Sequence, residues 1–192
     1  IAKKSIAVGG IRASFNKKNS VKDRILEFLI PKLLCKLGKL YLVSNNYQGK
    51  NIYLKEGFLP TVLKVIPNGI DYDTYSFGNK LKVINEFNLK NKVVIGMVGR
   101  LFPGKNQENL IKVFNEMIKI HKNLFLMIIG DGIEMDNLCK LTNDLNLSNK
   151  VIFTGNRKDI PNILSALDIF LFPSLFPEGW PNVIGEAMSA KL

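Results

Sequence analysis

From residue 93 onward, short apolar runs alternate with stretches whose hydrophobic residues recur at helical spacing. That alternation predicts βαβ units and a parallel sheet. Residues 93–98, Val-Val-Ile-Gly-Met-Val, form an unbroken apolar run that fits a strand covered on both faces. Asn106 is placed to cap the next helix, in which Leu110, Ile111, Phe114, Met117, Ile118 and His121 share a face. Residues 124–129 predict a second buried strand ending at Gly130-Asp131-Gly132, and a helix follows from about Glu134 with Leu138, Leu141 and Leu145 on one side. Residues 151–154 make a third strand closed by Gly155. Asp159 ahead of Pro161 suits an N-cap and a first helical turn, and that short helix runs to about Leu167. Residues 169–172 predict a fourth strand stopped by Pro173, and a last helix starts near Asn182. This is half of a doubly wound sheet, a fold that binds ligands at the C-terminal ends of its strands.

The first part of the chain reads differently. Residues 6–11 predict a strand. Ser20 with Asp23 reads as a capping box opening a helix through Ile25, Leu26, Leu29 and Leu33, with Pro31 expected to bend or interrupt it. Strands are expected at 40–44 and 64–66, and Pro67-Asn68-Gly69 is a turn signal. The polar stretch from Asp71 to about Asn91 holds no long apolar run. The organisation expected is therefore the end of one domain over 1–75, a linker over 76–91 and a second domain over 92–192. The chain opens on Ile, and 187–192 read as a helix without a C-cap, so both ends are expected to be cuts.

Composition narrows the picture. A hydrophobic content of 46% supports a real core. There is neither an apolar run of spanning length nor a secretory signal. Cys35 and Cys139 are far apart among Leu and Lys, which fits reduced thiols in a cytoplasmic protein, and with one His there is no His/Cys metal constellation. The net charge of +11 raises nucleic acid as a partner, but 23 of the 27 basic residues are Lys, scattered singly. A solvated Lys-rich surface fits better, with attraction to anionic headgroups or a phosphate-bearing substrate as the weaker reading.

Two stretches carry candidate chemistry. Gly99-Arg100-Leu101-Phe102-Pro103-Gly104-Lys105 follows the first strand of the array. Gly99 lets a ligand approach the backbone, Arg100 can fork onto two phosphate oxygens, and Lys105 adds a point charge before a helix start. It is neither a P-loop nor a GxGxxG fingerprint, and alone it also reads as a glycine turn between solvated cations. In the second stretch, Glu178 lies in the loop after the fourth strand and Glu186 lies one helical turn beyond Asn182. The free N–H groups between Gly179 and Val183 make an anion site, which the two carboxylates would flank. The plainer reading is a helix-start Glu and a solvated helical Glu.

Taken in order, five features resemble the C-terminal domain of family-4 retaining glycosyltransferases. They are Gly99-Arg100-Leu101 with Lys105-Asn106, Ile129-Gly130-Asp131-Gly132, Val151-Ile152-Phe153-Thr154-Gly155, Asp168-Ile169-Phe170-Leu171-Phe172-Pro173-Ser174, and the Glu178/Glu186 pair. Pro67-Asn68-Gly69-Ile70-Asp71 is similar to the turn that closes the family's N-terminal domain. The resemblance implies an α/β GT-B fold: a Rossmann-like parallel sheet with helices on both faces, preceded by the tail of a second Rossmann-like domain. It implies a nucleoside diphosphate sugar donor, a saccharide or lipid-linked acceptor, transfer with retention, and no metal. Arg100 and Lys105 would neutralise the leaving diphosphate, and Glu178 would contact sugar hydroxyls at the reacting centre. Glu186 would hold the ribose. The backbone around Gly179, Pro181, Asn182 and Val183 would touch diphosphate or sugar, and the loop with Asn156 and Arg157 would lie beside the base. Because the family's Gly-rich first half and its Gly-x-Pro are missing, the chain as given is expected to be inactive alone.

Two other readings stand beside this one. Asp71-Tyr72-Asp73 matches the DxD of metal-dependent GT-A transferases, although it follows a turn and not a strand. A non-enzymatic phosphate- or membrane-surface-binding module would use the helix over 20–37 with Lys22, Lys32, Lys36 and Lys39, placing the protein at the inner face of a membrane. On the transferase reading that helix packs against a sheet.

Overall fold

The computed structural model describes residues 5–11, 25–175 and 178–192. Ser20, Lys22 and Asp23, and with them the expected capping box, lie outside the described residues. The chain divides into two compact units at Gly69/Ile70, with residues 178–181 belonging to the first and Asn182–Leu192 to the second.

The first unit is a parallel sheet of order β1-β2-β3: β1 (Ala7–Ile11), β2 (Leu40–Ser44) and β3 (Leu63–Val65). A π-helical turn, Ile25–Leu29, hands over to α1 (Ile30–Lys36), with Pro31 in the first turn of α1. The interruption expected from Pro31 is this change of winding: a residue without an N–H cannot continue the preceding hydrogen-bond ladder. Phe28 and Cys35 pack with Ile11, Leu42, Phe58, Val62 and Leu63, and Phe28, Tyr53 and Phe58 form an aromatic triad. Only that stripe of the helical segment is covered. The described part of the helix thus packs against a sheet, as expected, while Leu26, Leu29, Leu33 and Leu37 remain 54–61% exposed. The segment is apolar on more than one face, and the three strands cover one. α2 (Tyr47–Lys55) was not anticipated. It begins where the Asn46 side chain accepts the Gly49 N–H at 2.6 Å.

The second unit is a four-stranded parallel sheet of order β6-β5-β4-β7, built from β4 (Val93–Val98), β5 (Leu124–Ile129), β6 (Val151–Gly155) and β7 (Ile169–Phe170). β4 and β5 match the sequence expectation residue for residue. β7 keeps only two of its four expected residues. Alternating strand residues feed two cores. Ile95, Met97, Leu126 and Ile128 pack under α5 (Gln107–Ile120) and α6 (Met135–Asp144) through Leu110, Ile111, Phe114 and Leu138. Val94, Met127 and Ile129 pack on the other face against Ile163 and Leu164 of α7 (Ile160–Ala166) and Ala187 of α8 (Asn182–Ser189). Helices on both faces of a parallel sheet make this the doubly wound arrangement read from the sequence.

The stretch expected to be a linker departs from that reading. It holds the last residue of α3 (Tyr72–Ser76) and all of α4 (Lys80–Glu86), and Val83 and Leu89 are fully buried in the second core. Gly78 lies so close to α7 that a Cβ there would come within 2.0 Å of the Pro161 carbonyl oxygen. Asn79 and Asp71 accept the N–H groups of Lys82 and Thr74, so each short helix is capped locally.

Candidate functional site

The order β6-β5-β4-β7 puts the first strand of the array between the second and the fourth, so the chain reverses direction across the sheet between β4 and β7. In open α/β sheets, that reversal opens a crevice at the strand C-termini. The loops leaving β4 and β7 meet there. The Leu175 N–H and the Ser174 hydroxyl donate to the Gly104 carbonyl at 2.9 and 3.3 Å, and Asn106 Nδ2 donates to the Pro173 carbonyl at 3.3 Å. Asn106 does not cap α5 with its side chain as expected. It sits in the left-handed region at φ 61°, and its amide ties the two loops together.

Arg100 is presented by a second close approach. The Gly99 N–H donates to the Ile129 carbonyl and the Leu101 N–H to the Asp131 carbonyl, both at 2.9 Å, so the ladder between β4 and β5 runs on beyond the strands. Leu101 is fully buried beneath it. A Cβ on Gly130 would lie 2.0 Å from the Gly99 carbonyl oxygen and one on Gly132 2.2 Å from that of Leu101; both residues have positive φ. Glycine is the residue that fits both demands, which gives the Gly130-Asp131-Gly132 motif a physical reason. Arg100 is exposed, its guanidinium 5.4 Å from the Phe102 ring centroid, and its carbonyl accepts a hydrogen bond from the buried Gln107 side chain at 2.9 Å.

A cavity of about 310 Å³ opens at the ends of β4, β5 and β6, lined by Val98, Gly99, Arg100, Ile129, Gly130, Asp131, Asn156, Arg157 and Ile160. It brings together Gly99, Arg100, Asn156 and Arg157 of the sequence-read site, and adds Asp131. Lys105 is not in its lining. Its ammonium lies 4.7 Å from the Phe172 ring centroid, beside the β7 loop, while its Cε passes 4.0 Å from where a Cβ on Gly99 would be.

Arg157 lines this cavity with its side chain already engaged. Its guanidinium grips both Glu86 oxygens at 2.6 and 2.9 Å and both Asp159 oxygens at 2.9 and 3.0 Å. These carboxylates hold it still more firmly protonated than usual, and the hydrogen bonds from Arg157 pull Glu86 and Asp159 below the ordinary carboxylate range. Asp159 stands at the N-cap position of α7 as expected, but its carboxylate serves Arg157 and makes no capping bond.

Glu178, Gly179 and Pro181 are half-buried in the first unit, where the Trp180 carbonyl accepts from Asn68 Nδ2 at 3.1 Å. Asn182, Val183 and Glu186 belong to α8 of the second, so the two acids fall in different compact units. Glu186 is half-buried and bonded by the Tyr75 hydroxyl. Burial pushes its carboxyl up and the Tyr75 bond offsets part of that rise, while burial and the neighbouring Glu186 raise Tyr75. Tyr75 went unread in the sequence, because a lone Tyr in a polar stretch gives no sign of a partner more than a hundred residues away. Asp71 accepts from Thr74, which holds its carboxyl low, and it starts α3 where a DxD site would need a strand end. Among the described residues, no three His, Cys, Asp or Glu side chains group so as to hold a metal ion, and no helix is long and apolar enough to cross a membrane.

The sequence model of the glycosyl transferases group 1 family matches residues 79–192, more than half of the chain. The chain belongs to this family. Relatives of this glycosyl transferases group 1 chain include an Escherichia coli UDP-Gal:alpha-D-GlcNAc-diphosphoundecaprenol alpha-1,3-galactosyltransferase, 37% identical over 79% of this chain and 41% of that protein. A Campylobacter jejuni N-acetylgalactosamine-N,N'-diacetylbacillosaminyl-diphospho-undecaprenol 4-alpha-N-acetylgalactosaminyltransferase is 30% identical over 91% of this chain and 45% of that protein. The crystal structure of Anabaena HepE in complex with UDP superposes with a TM-score of 0.83 at 25% identity, covering 95% of this chain and 50% of HepE. The fold is GT-B. The chain spans less than half the length of these two curated relatives.

Proposed function

We propose that the protein carrying this chain transfers a sugar from a nucleoside diphosphate sugar to a saccharide or lipid-linked acceptor, with retention at the anomeric carbon. One observation carries the reading: an exposed arginine and a lysine on the loop leaving β4, beside a cavity at the reversal point of a doubly wound sheet. The E. coli and C. jejuni relatives are named for diphosphoundecaprenol-linked acceptors, and HepE was crystallised with UDP, which supports donor and acceptor of these classes.

As the bond between the anomeric carbon and the diphosphate breaks, negative charge grows on the leaving oxygens. Arg100 and Lys105 stabilise that charge from positions fixed before reaction, so little reorganisation is needed when it develops. Glu186 accepts hydrogen bonds from the ribose hydroxyls, with Asn182, Val183, Gly179 and Pro181 supplying backbone contacts to diphosphate or sugar. Glu178 contacts the donor sugar; that role rests on the motif alone. The cations take the place of a metal. On this reading the residues present here bind donor without completing transfer. Isothermal titration of the full-length protein with UDP-, GDP- and ADP-sugars tests the proposal. Binding of at least one donor, lost in Arg100→Ala and weakened in Glu186→Ala, is expected; indifference to both substitutions would sink it.

Acidity gives a further expectation. An ionised Glu186 accepts from ribose hydroxyls more strongly than the neutral acid does, and burial pushes its carboxyl above the ordinary glutamate range. Donor affinity should therefore fall on acidification at a higher pH than a solvated glutamate would give. Glu186→Gln should flatten the profile, and Tyr75→Phe should move it upward, since the lost hydrogen bond favoured the carboxylate. The stability sign is opposite. A raised acid favours the fold fully below its unfolded pKa of about 4.3, and that contribution is lost as pH rises through the folded value. Affinity profiles that overlay for wild type and Glu186→Gln would contradict the ribose role.

A second reading has one observation behind it. The exposed stripe Leu26, Leu29, Leu33 and Leu37, with exposed Lys36 and Lys39 beside it, is suited to an anionic membrane surface. Sedimentation of the full-length protein with anionic liposomes tests it. Binding should be lost in Leu29→Ser, Leu33→Ser and kept in Arg100→Ala; binding that depends on Arg100 instead would discard it.

A further inference from the structure

Arg157 lines the cavity at the sheet's C-terminal edge, yet its donors are already committed. Nε and both terminal nitrogens point at carboxylates of Glu86 and Asp159, and Cζ lies 5.8 Å from the Phe87 ring centroid. A guanidinium gripped on both edges has little left with which to fork onto a ligand. What the grip does is mechanical. Glu86 is the last residue of α4, an element outside the cavity, and the pair ties the loop after β6 to it across 71 positions of sequence. The same loop is fixed at its start by the Gly130 N–H donating to the Gly155 carbonyl at 3.0 Å. At its end the Asp159 carbonyl accepts from Asn162 and Ile163, the first bonds of α7. Lys82 on α4 also reaches Asp159, at 3.5 Å. Between these anchors stands Asn156, exposed and lining the cavity, with a carboxamide that offers both donor and acceptor.

We propose that Arg157, locked by Glu86 and Asp159, is a positioning residue that presets the 155–159 loop as the base-side wall of the donor cleft, so that Asn156 reads the nucleobase. This deepens the donor reading above and rests on it. Affinity for the base is then set partly by Glu86, which does not line the cleft: a wall already fixed need not be ordered when the nucleotide arrives. Contacts to the diphosphate, from the β4 loop and the backbone at the start of α8, are independent of this wall.

The test uses the full-length protein and four probes, UDP, GDP, ADP and inorganic pyrophosphate, with amide hydrogen exchange measured on the ligand-free protein. Glu86→Gln is expected to speed exchange in 155–159 and to weaken the preferred nucleotide by about five- to tenfold relative to the other two, with pyrophosphate affinity unchanged. Arg157→Lys keeps the charge but loses the two-pronged grip, and should act in the same direction. Asn156→Ala should erase the base preference without altering exchange. Unchanged exchange in Glu86→Gln overturns the positioning role, whatever binds. Equal weakening of pyrophosphate and all nucleotides overturns the assignment to the base, as does a preference that survives Asn156→Ala. If the wild-type protein binds pyrophosphate but shows no nucleotide preference, the base-reading role falls while a diphosphate site stands. If it binds none of the four probes, the donor reading itself falls, and exchange still decides whether Glu86 holds the loop.

Discussion

Arg100→Ala in the full-length protein is expected to lower kcat/KM by about 10²- to 10³-fold, the loss typical when one preorganised group facing developing charge is removed. Arg100 is held by its backbone: its neighbours on both sides are bonded to the β5 loop, and its carbonyl is bonded to buried Gln107. The side chain can therefore be shortened without disturbing Leu101 beneath it. Arg100→Lys should recover part of the loss through charge alone, since a single ammonium cannot span two phosphate oxygens as a guanidinium does. Lys105→Ala should cost less than Arg100→Ala, because Lys105 lies beside Phe172 and outside the cavity lining. The check is steady-state kinetics together with direct titration of the donor. Retained turnover in Arg100→Ala would remove the leaving-group role, and a loss confined to KM would reduce Arg100 to ground-state binding.

How far the site could be read ahead depends on which forces set each part. β4 and β5 were legible to the residue because both faces are buried, so every position had to be apolar, and a polar residue before and a glycine after each run marked the ends. α5 and α6 were legible because one long face of each supplies the core under the sheet. α3 and α4 were not. Each is short, and between them only Val83 is buried, too little to leave a period in a polar stretch. Asn79 and Asp71 cap them in the structure, but in the sequence an Asx residue in a polar run reads equally as a turn. Arg100 could be picked out because it follows a strand and opens a glycine-containing loop, whereas Asn156 entered only through the family resemblance. The commitment of Arg157 could not be read, since Glu86 is supplied by α4, in a polar stretch without the apolar period that marks a helix. Tyr75 meeting Glu186 is the same kind of fact: a pairing made by tertiary packing between short helices, with no local signature.

Gly130→Ala should be the most damaging small substitution in the second unit. Its new methyl would sit 2.0 Å from a backbone oxygen, that of Gly99, in a residue held at φ 133°. Neither fault has an easy relief. The oxygen is a backbone atom, not the end of a flexible side chain, and relaxing φ would break the bond from the Gly130 N–H to Gly155. A cost of roughly 2–4 kcal/mol is expected, the range for a strained backbone combined with a forced displacement. That corresponds to a fall in melting temperature on the order of 10 °C or more for a unit of this size. Gly155→Ala is the control. It too has positive φ, at 65°, but an added Cβ there meets nothing within 4 Å, so only the conformational penalty of about 1 kcal/mol applies. The two variants separate strain in the chain from the approach of two loops. If the approach presents Arg100, Gly130→Ala measured well below its melting point should also bind donor more weakly, while Gly155→Ala should leave the diphosphate contacts intact. Equal destabilisation by the two substitutions would mean that backbone conformation alone explains the glycine at 130, and that the Arg100 loop does not depend on its neighbour.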